Sequence, residues 1–161
     1  MNKFEFSTKG HDEWLTPKYI TDALGPFDID PCSPVVRPWD TASLHYNKDN
    51  DGYTKKWDGF VWMNPPYGKE TSKWMNKLKE HSNGIALIFV RTETKCFFDN
   101  VWGKANAILF IKGRISFCYV DGSVAGTSGA PSCLVAYGDL AVHRLETALG
   151  EGKINGHIIY I

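Results

Sequence analysis

The sequence has no excess of charge of either sign. Its 161 residues include 18 lysines and arginines against 18 aspartates and glutamates, so the formal net charge at pH 7 is zero. A neutral protein has no overall field that would concentrate it on nucleic acid or on a membrane surface. Any polyanion must therefore be bound by a local patch of basic residues.

Cysteine and histidine are too scattered to indicate a metal site. The four cysteines are Cys32, Cys96, Cys118 and Cys133, and no two of them form a C-x-x-C pair. This spacing argues against a zinc site or a disulfide framework and favours small core residues. The five histidines do not form an H-E-x-x-H pattern either. We therefore predict no metal.

Long hydrophobic runs are also absent. No apolar run approaches the roughly 20 residues that cross a bilayer. The first residues, "MNKFEFSTKGHDEW", lack the apolar core of a secretory signal. We expect a cytoplasmic protein without membrane contact. Because 43% of the residues are hydrophobic and 14% aromatic, the chain can build one core, and we predict a single domain over residues 1–161.

Several short apolar runs predict strands. A continuous apolar run without polar alternation indicates a strand that is covered on both faces. Such runs are "GFVWM" before Asn64, "IALIFV" at 85–90, "AILFI" at 107–111 and "SCLVAY" at 132–137. Shorter strands are predicted in "FDID" at 27–30 and in the final "HIIYI". The segment 35–56 has no sustained period, which predicts a loop with one short strand.

Helical patterns alternate with these strands and lie at 16–24, 71–84, 92–105 and 139–149. In the first pattern Thr16 is predicted to cap the helix, with Pro17 at the first helical position. In the second, Gly84 is predicted to be the C-cap. Buried strands that alternate with amphipathic helices predict an α/β sheet with helices on both faces.

The stretch "NPPY", Asn64 to Tyr67, carries the main chemical signal. It follows the predicted strand "GFVWM", and in open α/β sheets ligands bind beyond the carboxyl ends of the strands. Pro65 and Pro66 have no N–H to donate, and a residue before proline is held extended. The side-chain oxygen of Asn64 and the carbonyl of Pro65 are then two fixed acceptors beside the Tyr67 ring.

Two acceptors next to an aromatic ring suit a planar heteroaromatic ring that carries an amino group. Tyr67 would stack on that ring while the acceptors bind the two N–H groups. Hydrogen bonds from both protons favour a pyramidal nitrogen and localise its lone pair, which prepares the amine to attack an electrophile. The alternative is that "NPPYG" is only a turn, because Asn, Pro and Gly are turn residues.

Further motifs resemble a known family. In order along the chain, "DEWLTP" at 12–17, "FDIDPCS" at 27–33, "DNDGYTKKWDGFVWMNPPYG" at 49–68 and "KGRISF" at 112–117 are similar to motifs of small phage-type DNA N6-adenine methyltransferases, the Dam-like family. The resemblance covers nearly the whole chain up to "SCLVAYG". It implies a Rossmann-like methyltransferase sheet that binds S-adenosylmethionine and methylates adenine N6 in double-stranded DNA. It also implies a place in the host cytoplasm if a phage encodes the protein.

The resemblance implies which residues bind the cofactor. The expected contacts come from three motifs and are Trp14, Thr16, Pro17, Asp30, Pro31, Cys32, Ser33 and Asp51. Asp30 would be the acidic residue at the end of the first strand, where a carboxylate favours a bound ammonium or sulfonium. Asp51 would hold the amino group of the cofactor's adenine, with Asp58 as the alternative. The G-x-G loop of related enzymes is replaced here by "DPCSPV".

The implied mechanism flips adenine out of the duplex and transfers the methyl group by direct in-line displacement. Asn64, Pro65, Pro66 and Tyr67 would be the catalytic residues. The expected DNA contacts are basic residues near strand ends, namely Lys69, Arg91, Lys112 and Arg114. Because no separate recognition domain is expected, specificity would come from the loops 35–56 and 119–130. The second is either a mobile loop that closes over DNA or a hairpin connection.

Two other functions remain open. The "NPPY" motif also occurs in methyltransferases that act on protein glutamine or on RNA guanine, so the substrate can differ while the chemistry stays the same. A different class would be a catalytically inactive nucleic-acid-binding module that binds no cofactor.

Overall fold

The computed structural model describes residues 13–161. Within this part the chain forms four helices and nine strands. The helices are α1 Lys18–Leu24, α2 Thr71–His81, α3 Lys95–Asn100 and α4 Asp139–Gly150. The strands are β1 Ile29–Asp30, β2 Leu44–His45, β3 Val61–Met63, β4 Gly84–Phe89, β5 Ala107–Ile111, β6 Ser116–Cys118, β7 Val124–Thr127, β8 Ser132–Tyr137 and β9 Gly156–Tyr160.

Seven strands form one mixed sheet in the order β2-β1-β3-β4-β8-β5-β9. Strands β2, β1, β3 and β4 pair in parallel, whereas β8 is antiparallel to both of its neighbours, β4 and β5. Strand β9 pairs antiparallel with β5 at one edge. The carboxyl ends of β1 to β5 therefore all lie at the same edge of the sheet.

Apolar side chains cover both faces of the sheet. Successive residues of one strand point to opposite faces, so in β4 Ile85 and Leu87 belong to one buried cluster and Ala86 and Ile88 to the other. Buried side chains of α1 and α4 complete the first cluster, and those of α2 and α3 complete the second. Helices therefore lie on both faces of the sheet.

The sequence patterns predicted most of these elements. The α/β class is confirmed, as are the strands at 107–111 and 132–137 with their bounds. The segment 35–56 contains one short strand, β2, as predicted. The mixed direction of the sheet was not predicted, because apolar runs indicate burial and carry no information about strand direction.

Two predicted helix caps are wrong. Helix α1 begins at Lys18, and its N-cap residue, Pro17, makes no side-chain capping bond. The hydroxyl of Thr16 accepts a hydrogen bond from the Asn64 side chain instead. Helix α2 ends at His81, and its C-cap residue is Ser82, which has the left-handed conformation (φ 61°) that favours glycine. Gly84 opens the next strand, β4.

The segment 116–127 is a β-hairpin of β6 and β7 outside the main sheet. This finding favours the hairpin interpretation of the glycine-rich segment. Leu15 pairs with Cys118 of β6 through two backbone hydrogen bonds of 2.9 Å each. The hairpin thereby holds the chain just before α1.

No helix among residues 13–161 is long and apolar enough to cross a membrane.

Replacing Gly84 with alanine is expected to lower the free energy of unfolding by about 1–3 kcal/mol, the usual cost of overpacking. A Cβ atom at this residue would lie 2.6 Å from the Val61 carbonyl oxygen and 2.9 Å from Leu78 Cδ1. Strand β3 and helix α2 would have to move. The matched control is Gly150→Ala, where a Cβ atom meets nothing within 4 Å. Equal urea midpoints for Gly84→Ala and the wild type would contradict the close packing.

Candidate active site

A cavity of about 390 Å³ lies at the carboxyl edge of the sheet. Its wall includes the segments that follow β1, β2 and β3, which is where ligands bind in open α/β sheets. The lining residues are Glu13, Trp14, 31–34, Asn47, Lys48, Asp51, Gly52, 64–67, Glu70, Lys73 and Trp74. Four stretches of the chain, within 13–14, 31–34, 47–52 and 64–74, therefore meet in one site.

The segment Asn64–Tyr67 forms the part of the wall that follows β3. Both ends of the Asn64 side-chain amide are bonded: Nδ2 donates to Thr16 Oγ1 at 3.3 Å, and Oδ1 accepts from the Tyr67 hydroxyl at 3.1 Å. The carbonyl of Pro66 accepts a bond of 2.7 Å from the hydroxyl of Thr71 at the start of α2. The loop is thus held at both ends.

The ring of Tyr67 packs against other aromatic rings. It stacks on Phe89, the last residue of β4, with a centroid distance of 4.3 Å and an interplanar angle of 15°. It meets the edge of Phe117 in β6 at 6.4 Å. These contacts fix the ring plane beside Asn64.

Asp30 ends β1 and is buried, with only 3% of its surface exposed. Its carboxylate accepts hydrogen bonds from the hydroxyl of Thr41 and from the backbone N–H of Cys32, the latter at 3.1 Å. Burial raises the pKa of this carboxyl to about 6, although both hydrogen bonds and the nearby charge of Arg37 act in the opposite direction. Asp30 is not among the described residues that line the cavity, but the residues it holds, Pro31 to Ser33, are.

Cys32 and Ser33 form the wall that follows β1. Burial and the neighbouring Asp30 raise the pKa of the Cys32 thiol well above its ordinary value, so the thiol stays protonated. The backbone N–H of Ser33 donates to the Tyr46 carbonyl at 2.9 Å, which ties this wall to the chain after β2.

Asp51 and Gly52 approach the same wall from the loop after β2. Asp51 has a left-handed conformation, φ 48°, and its carboxylate accepts from the Tyr53 N–H at 3.2 Å. A Cβ atom at Gly52 would lie 2.2 Å from the Pro31 carbonyl oxygen, so only glycine permits this approach. The Gly52 carbonyl also accepts from the Trp57 indole N–H at 2.9 Å.

Lys77 attaches the 51–57 loop to helix α2. Its ammonium group lies 4.6 Å from the centre of the Trp57 ring and donates to the carbonyls of Tyr53 and Lys55. Desolvation lowers the pKa of this ammonium group. Lys77 therefore has a structural role that the lysine-rich pattern of α2 did not reveal.

The chain before α1 forms another side of the site. Trp14 lines the cavity and packs on Tyr119 at a centroid distance of 5.4 Å. Thr16 and Pro17 are buried and are not among the described residues of the cavity wall. Thr16 instead lies behind Asn64, within hydrogen-bonding distance of its amide.

Most of the expected site residues come together here. The cavity wall contains all four expected catalytic residues, together with Trp14, Pro31, Cys32, Ser33 and Asp51. The expected DNA contacts are outside the wall: Lys69 follows the Asn64–Tyr67 loop, Arg91 follows β4, and Lys112 and Arg114 follow β5. Asp58, the alternative to Asp51, is also outside the described wall and pairs with Lys56 at 3.3 Å.

Five charged or aromatic wall residues were not predicted: Glu13, Lys48, Glu70, Lys73 and Trp74. Glu13 accepts from the Val35 N–H at 3.3 Å and lies 3.8 Å from the Lys48 ammonium, so it links two walls. Lys73 forms an ion pair with Glu70, and the hydrogen bond to Glu70 raises the pKa of Lys73. The only sequence signal for these residues was their nearness to the "DEWLTP" and "NPPYG" motifs.

Among residues 13–161 no group of three or more His, Cys, Asp or Glu side chains is arranged to hold a metal ion.

A ligand cavity at the carboxyl edge of an α/β sheet, with an Asn-Pro-Pro-Tyr loop in its wall, defines an enzyme-like site for a small organic molecule. The family described as DNA N-6-adenine-methyltransferase (Dam) matches residues 5–141. The chain therefore belongs to this family of DNA adenine methyltransferases, and the resemblance seen in the sequence motifs is confirmed. No curated protein and no solved structure gives a match.

The buried carboxyl of Asp30 predicts a pH-dependent stability. Its pKa is about 6 in the folded protein and about 3.9 in an unfolded chain, so between these values the folded state holds a proton that the unfolded state has lost. The contribution of Asp30 to the free energy of unfolding is therefore highest below about pH 4. It falls by about 3 kcal/mol as the pH rises through about 6.

The variant Asp30→Asn cannot ionise and has nearly the same shape. We expect its free energy of unfolding, relative to the wild type, to rise between about pH 4 and pH 6 and to level off above about pH 7. Urea unfolding of both proteins over this pH range measures the difference. A difference that does not change with pH would contradict the raised pKa.

Proposed function

We propose that this protein transfers a methyl group from S-adenosylmethionine to N6 of adenine at specific sites in double-stranded DNA. The observation that carries the proposal is the Asn64–Tyr67 loop, which lies in a cavity wall at the carboxyl end of β3. The parallel strands β2, β1, β3 and β4, with antiparallel β8 beside them, would form the Rossmann-like methyltransferase sheet that the sequence motifs imply.

The residues of the cavity fit S-adenosylmethionine. This cofactor carries an ammonium, a sulfonium, a carboxylate and an adenine ring. The wall offers carboxylates at Glu13, Asp51 and Glu70 and ammonium groups at Lys48 and Lys73. The cavity, at about 390 Å³, falls within the roughly 300–1,000 Å³ that is typical of small-molecule sites. When bound, the cofactor supplies an electrophilic methyl group.

Asn64 and Pro65 would bind the two protons of the adenine amine. A carbonyl oxygen has two lone pairs, so Asn64 Oδ1 can accept from N6 while it keeps its bond to the Tyr67 hydroxyl. Within residues 13–161, no donor to the Pro65 carbonyl oxygen is present. Held in this way, the N6 lone pair would be directed at the methyl group that the bound cofactor would supply, and water would take the proton that N6 loses. No covalent enzyme intermediate forms.

The target adenine must leave the DNA duplex to reach this loop, which costs a few kcal/mol of unstacking and unpairing. We propose that stacking on Tyr67 offsets part of this cost. Phe89 supports the Tyr67 ring from one side, and the guanidinium of Arg91 lies 5.9 Å from the centre of the Phe89 ring. The ring that would receive the base is therefore already oriented.

DNA would contact the edge of the sheet where β4 and β5 end. Lys112 and Arg114 are exposed at the end of β5, directly before the β6–β7 hairpin, and Lys69 is exposed after the Tyr67 loop. Other lysines of α2 already have partners: Lys77 bonds to loop carbonyls, and Lys79 donates to the Asp99 carbonyl at 3.2 Å. A local patch at this edge would bind phosphates despite the zero net charge.

Direct assays distinguish methyl transfer to DNA from methyl transfer to RNA or protein, and an active enzyme from a catalytically inactive binding module. Tritiated methyl transfer to unmethylated DNA, RNA and protein identifies the substrate class, and transfer to protein or RNA alone would contradict the DNA proposal. Sequencing a methylated plasmid for modified adenines gives both the activity and the recognition site. An inactive module would bind no S-adenosylmethionine in calorimetry, whereas we expect saturable binding that Asp30→Ala abolishes.

The variant Asn64→Ala is expected to bind S-adenosylmethionine normally but to lose methyl transfer by roughly a hundredfold to a thousandfold. The substitution removes a proposed acceptor for the reacting amine, and the cofactor contacts proposed above do not include Asn64. The control is Asn76→Ala on α2, since the Asn76 side chain bonds to Glu80 and is outside the described cavity wall. Turnover of Asn64→Ala close to that of Asn76→Ala would refute the role of Asn64.

The variant Arg114→Ala is expected to weaken DNA binding and to reduce the slope of log affinity against log salt by about 1. A change of about 1 in this slope corresponds to the loss of one phosphate contact. Lys104→Ala provides a matched control, because Lys104 is exposed before β5, at the opposite edge of the sheet. Fluorescence anisotropy with a short duplex at several salt concentrations measures the DNA affinity and the salt slope of each variant. An unchanged slope for Arg114→Ala would argue against phosphate contact.

A further inference from the structure

We propose that Thr16 is a positioning residue for Asn64: its buried hydroxyl holds the side-chain amide in the orientation that methyl transfer requires. This inference rests on the proposed function. It differs from the cofactor contact that the sequence motifs implied for Thr16, because Thr16 is only 3% exposed and lies behind Asn64.

An asparagine amide needs such a constraint. The last torsion of an Asn side chain has a broad energy profile, so an amide that is bonded at one end can still rotate. Because a hydroxyl can both donate and accept, hydrogen bonds at both ends fix the plane of the Asn64 amide, and rotation out of this plane would move Oδ1 away from the N–H groups of the substrate amine. Asn64 is held at both ends, by Thr16 at Nδ2 and by Tyr67 at Oδ1.

The two bonds differ during the proposed reaction. The Tyr67 hydroxyl bonds to the same oxygen that the substrate amine would use, and the Tyr67 ring would contact the base. The two lone pairs of Oδ1 allow both bonds together, but the substrate would contact both partners of the Tyr67 bond. The Thr16 bond is at the opposite end of the amide and shares no atom with the substrate amine, so it can persist unchanged through the reaction.

The backbone of Thr16 is itself fixed on both sides. The preceding residue, Leu15, exchanges two backbone hydrogen bonds of 2.9 Å with Cys118 of β6. The following residue, Pro17, is buried, and its carbonyl accepts from the Ile20 N–H at 3.0 Å at the start of α1. A threonine that is held in this way can restrict the movement of a partner that is 48 residues away in sequence.

Two substitutions at Thr16 separate the hydroxyl from packing. Thr16→Val keeps the branched shape and removes the hydroxyl, whereas Thr16→Ser keeps the hydroxyl and removes a methyl group. The matched control is Thr21→Val, because Thr21 is also buried and its hydroxyl bonds to the Lys18 carbonyl within α1. Steady-state methyl transfer to unmethylated plasmid and calorimetric binding of S-adenosylmethionine are measured for all four proteins.

We expect Thr16→Val to lower kcat about tenfold, the effect of losing one well-placed hydrogen bond, with the cofactor Kd unchanged. Thr16→Ser and Thr21→Val should have kcat close to that of the wild type. Normal kcat in Thr16→Val would overturn the proposal. So would a weakened cofactor Kd at normal kcat, which would indicate a cofactor contact, or an equal loss in Thr16→Val and Thr16→Ser, which would indicate packing.

A second measurement does not depend on activity. The side-chain amide resonance of Asn64, assigned by its absence in Asn64→Ala, should shift in Thr16→Val and stay in place in Thr21→Val. If the wild type transfers no methyl group, the proposed function fails, but this spectrum still tests the Thr16 bond. Thr16→Ala replaces Thr16→Val if the valine variant does not fold. An unchanged Asn64 resonance in the hydroxyl-free variant would overturn the proposal.

Discussion

Two consecutive peptide units without N–H groups follow strand β3, and this constraint determines the geometry of the site. Pro65 and Pro66 cannot donate to a neighbouring strand, so the ladder between β3 and β4 ends with Met63 and Ala86. The chain must leave the sheet at its carboxyl edge, and the residue before Pro65 is restricted to extended conformations. Thr71 then holds the Pro66 carbonyl, so that the loop has little freedom before helix α2 begins.

The opposite wall depends on a buried carboxylate and a glycine. Strand β1 has only two residues, and the short turn after it is held by the bonds that Asp30 makes to Thr41 and to the Cys32 N–H. Gly52 reaches the Pro31 carbonyl because it has no Cβ atom. A buried ionised group costs folding free energy unless it has partners, which explains why Asp30 makes two hydrogen bonds and still has a raised pKa. Hydrogen bonds of a buried carboxylate and a close glycine contact thus help to hold this wall.

Local sequence patterns predicted the local parts of this structure. Apolar runs identified β5 and β8 because fully buried strands need no alternation, and the helical pattern at 71–84 identified α2. The "NPPY" loop was predicted because proline acts on its own neighbours. Long-range contacts left no such signal: nothing near Thr41 indicates a bond to Asp30, and Thr16 has the pattern of a helix cap although its hydroxyl bonds to Asn64. The antiparallel direction of β8 was missed for the same reason, since it depends on how distant segments meet.

The position of Asn64 in the Asn64–Tyr67 loop depends on two parts of the chain that are far apart in sequence. The backbone of Asn64 is set by β3 and the prolines, whereas its side chain is set by Thr16, which the Leu15–Cys118 pairing anchors to the β6–β7 hairpin. Arg114 is exposed and precedes β6, the strand that pairs with Leu15 next to Thr16. The proposed nucleic-acid contact, Arg114, and the proposed amine acceptor, Asn64, are therefore connected through the β6–β7 hairpin and the Leu15–Cys118 pairing. In that arrangement a small shift of the hairpin would reach Asn64 through only two intervening residues, Leu15 and Thr16.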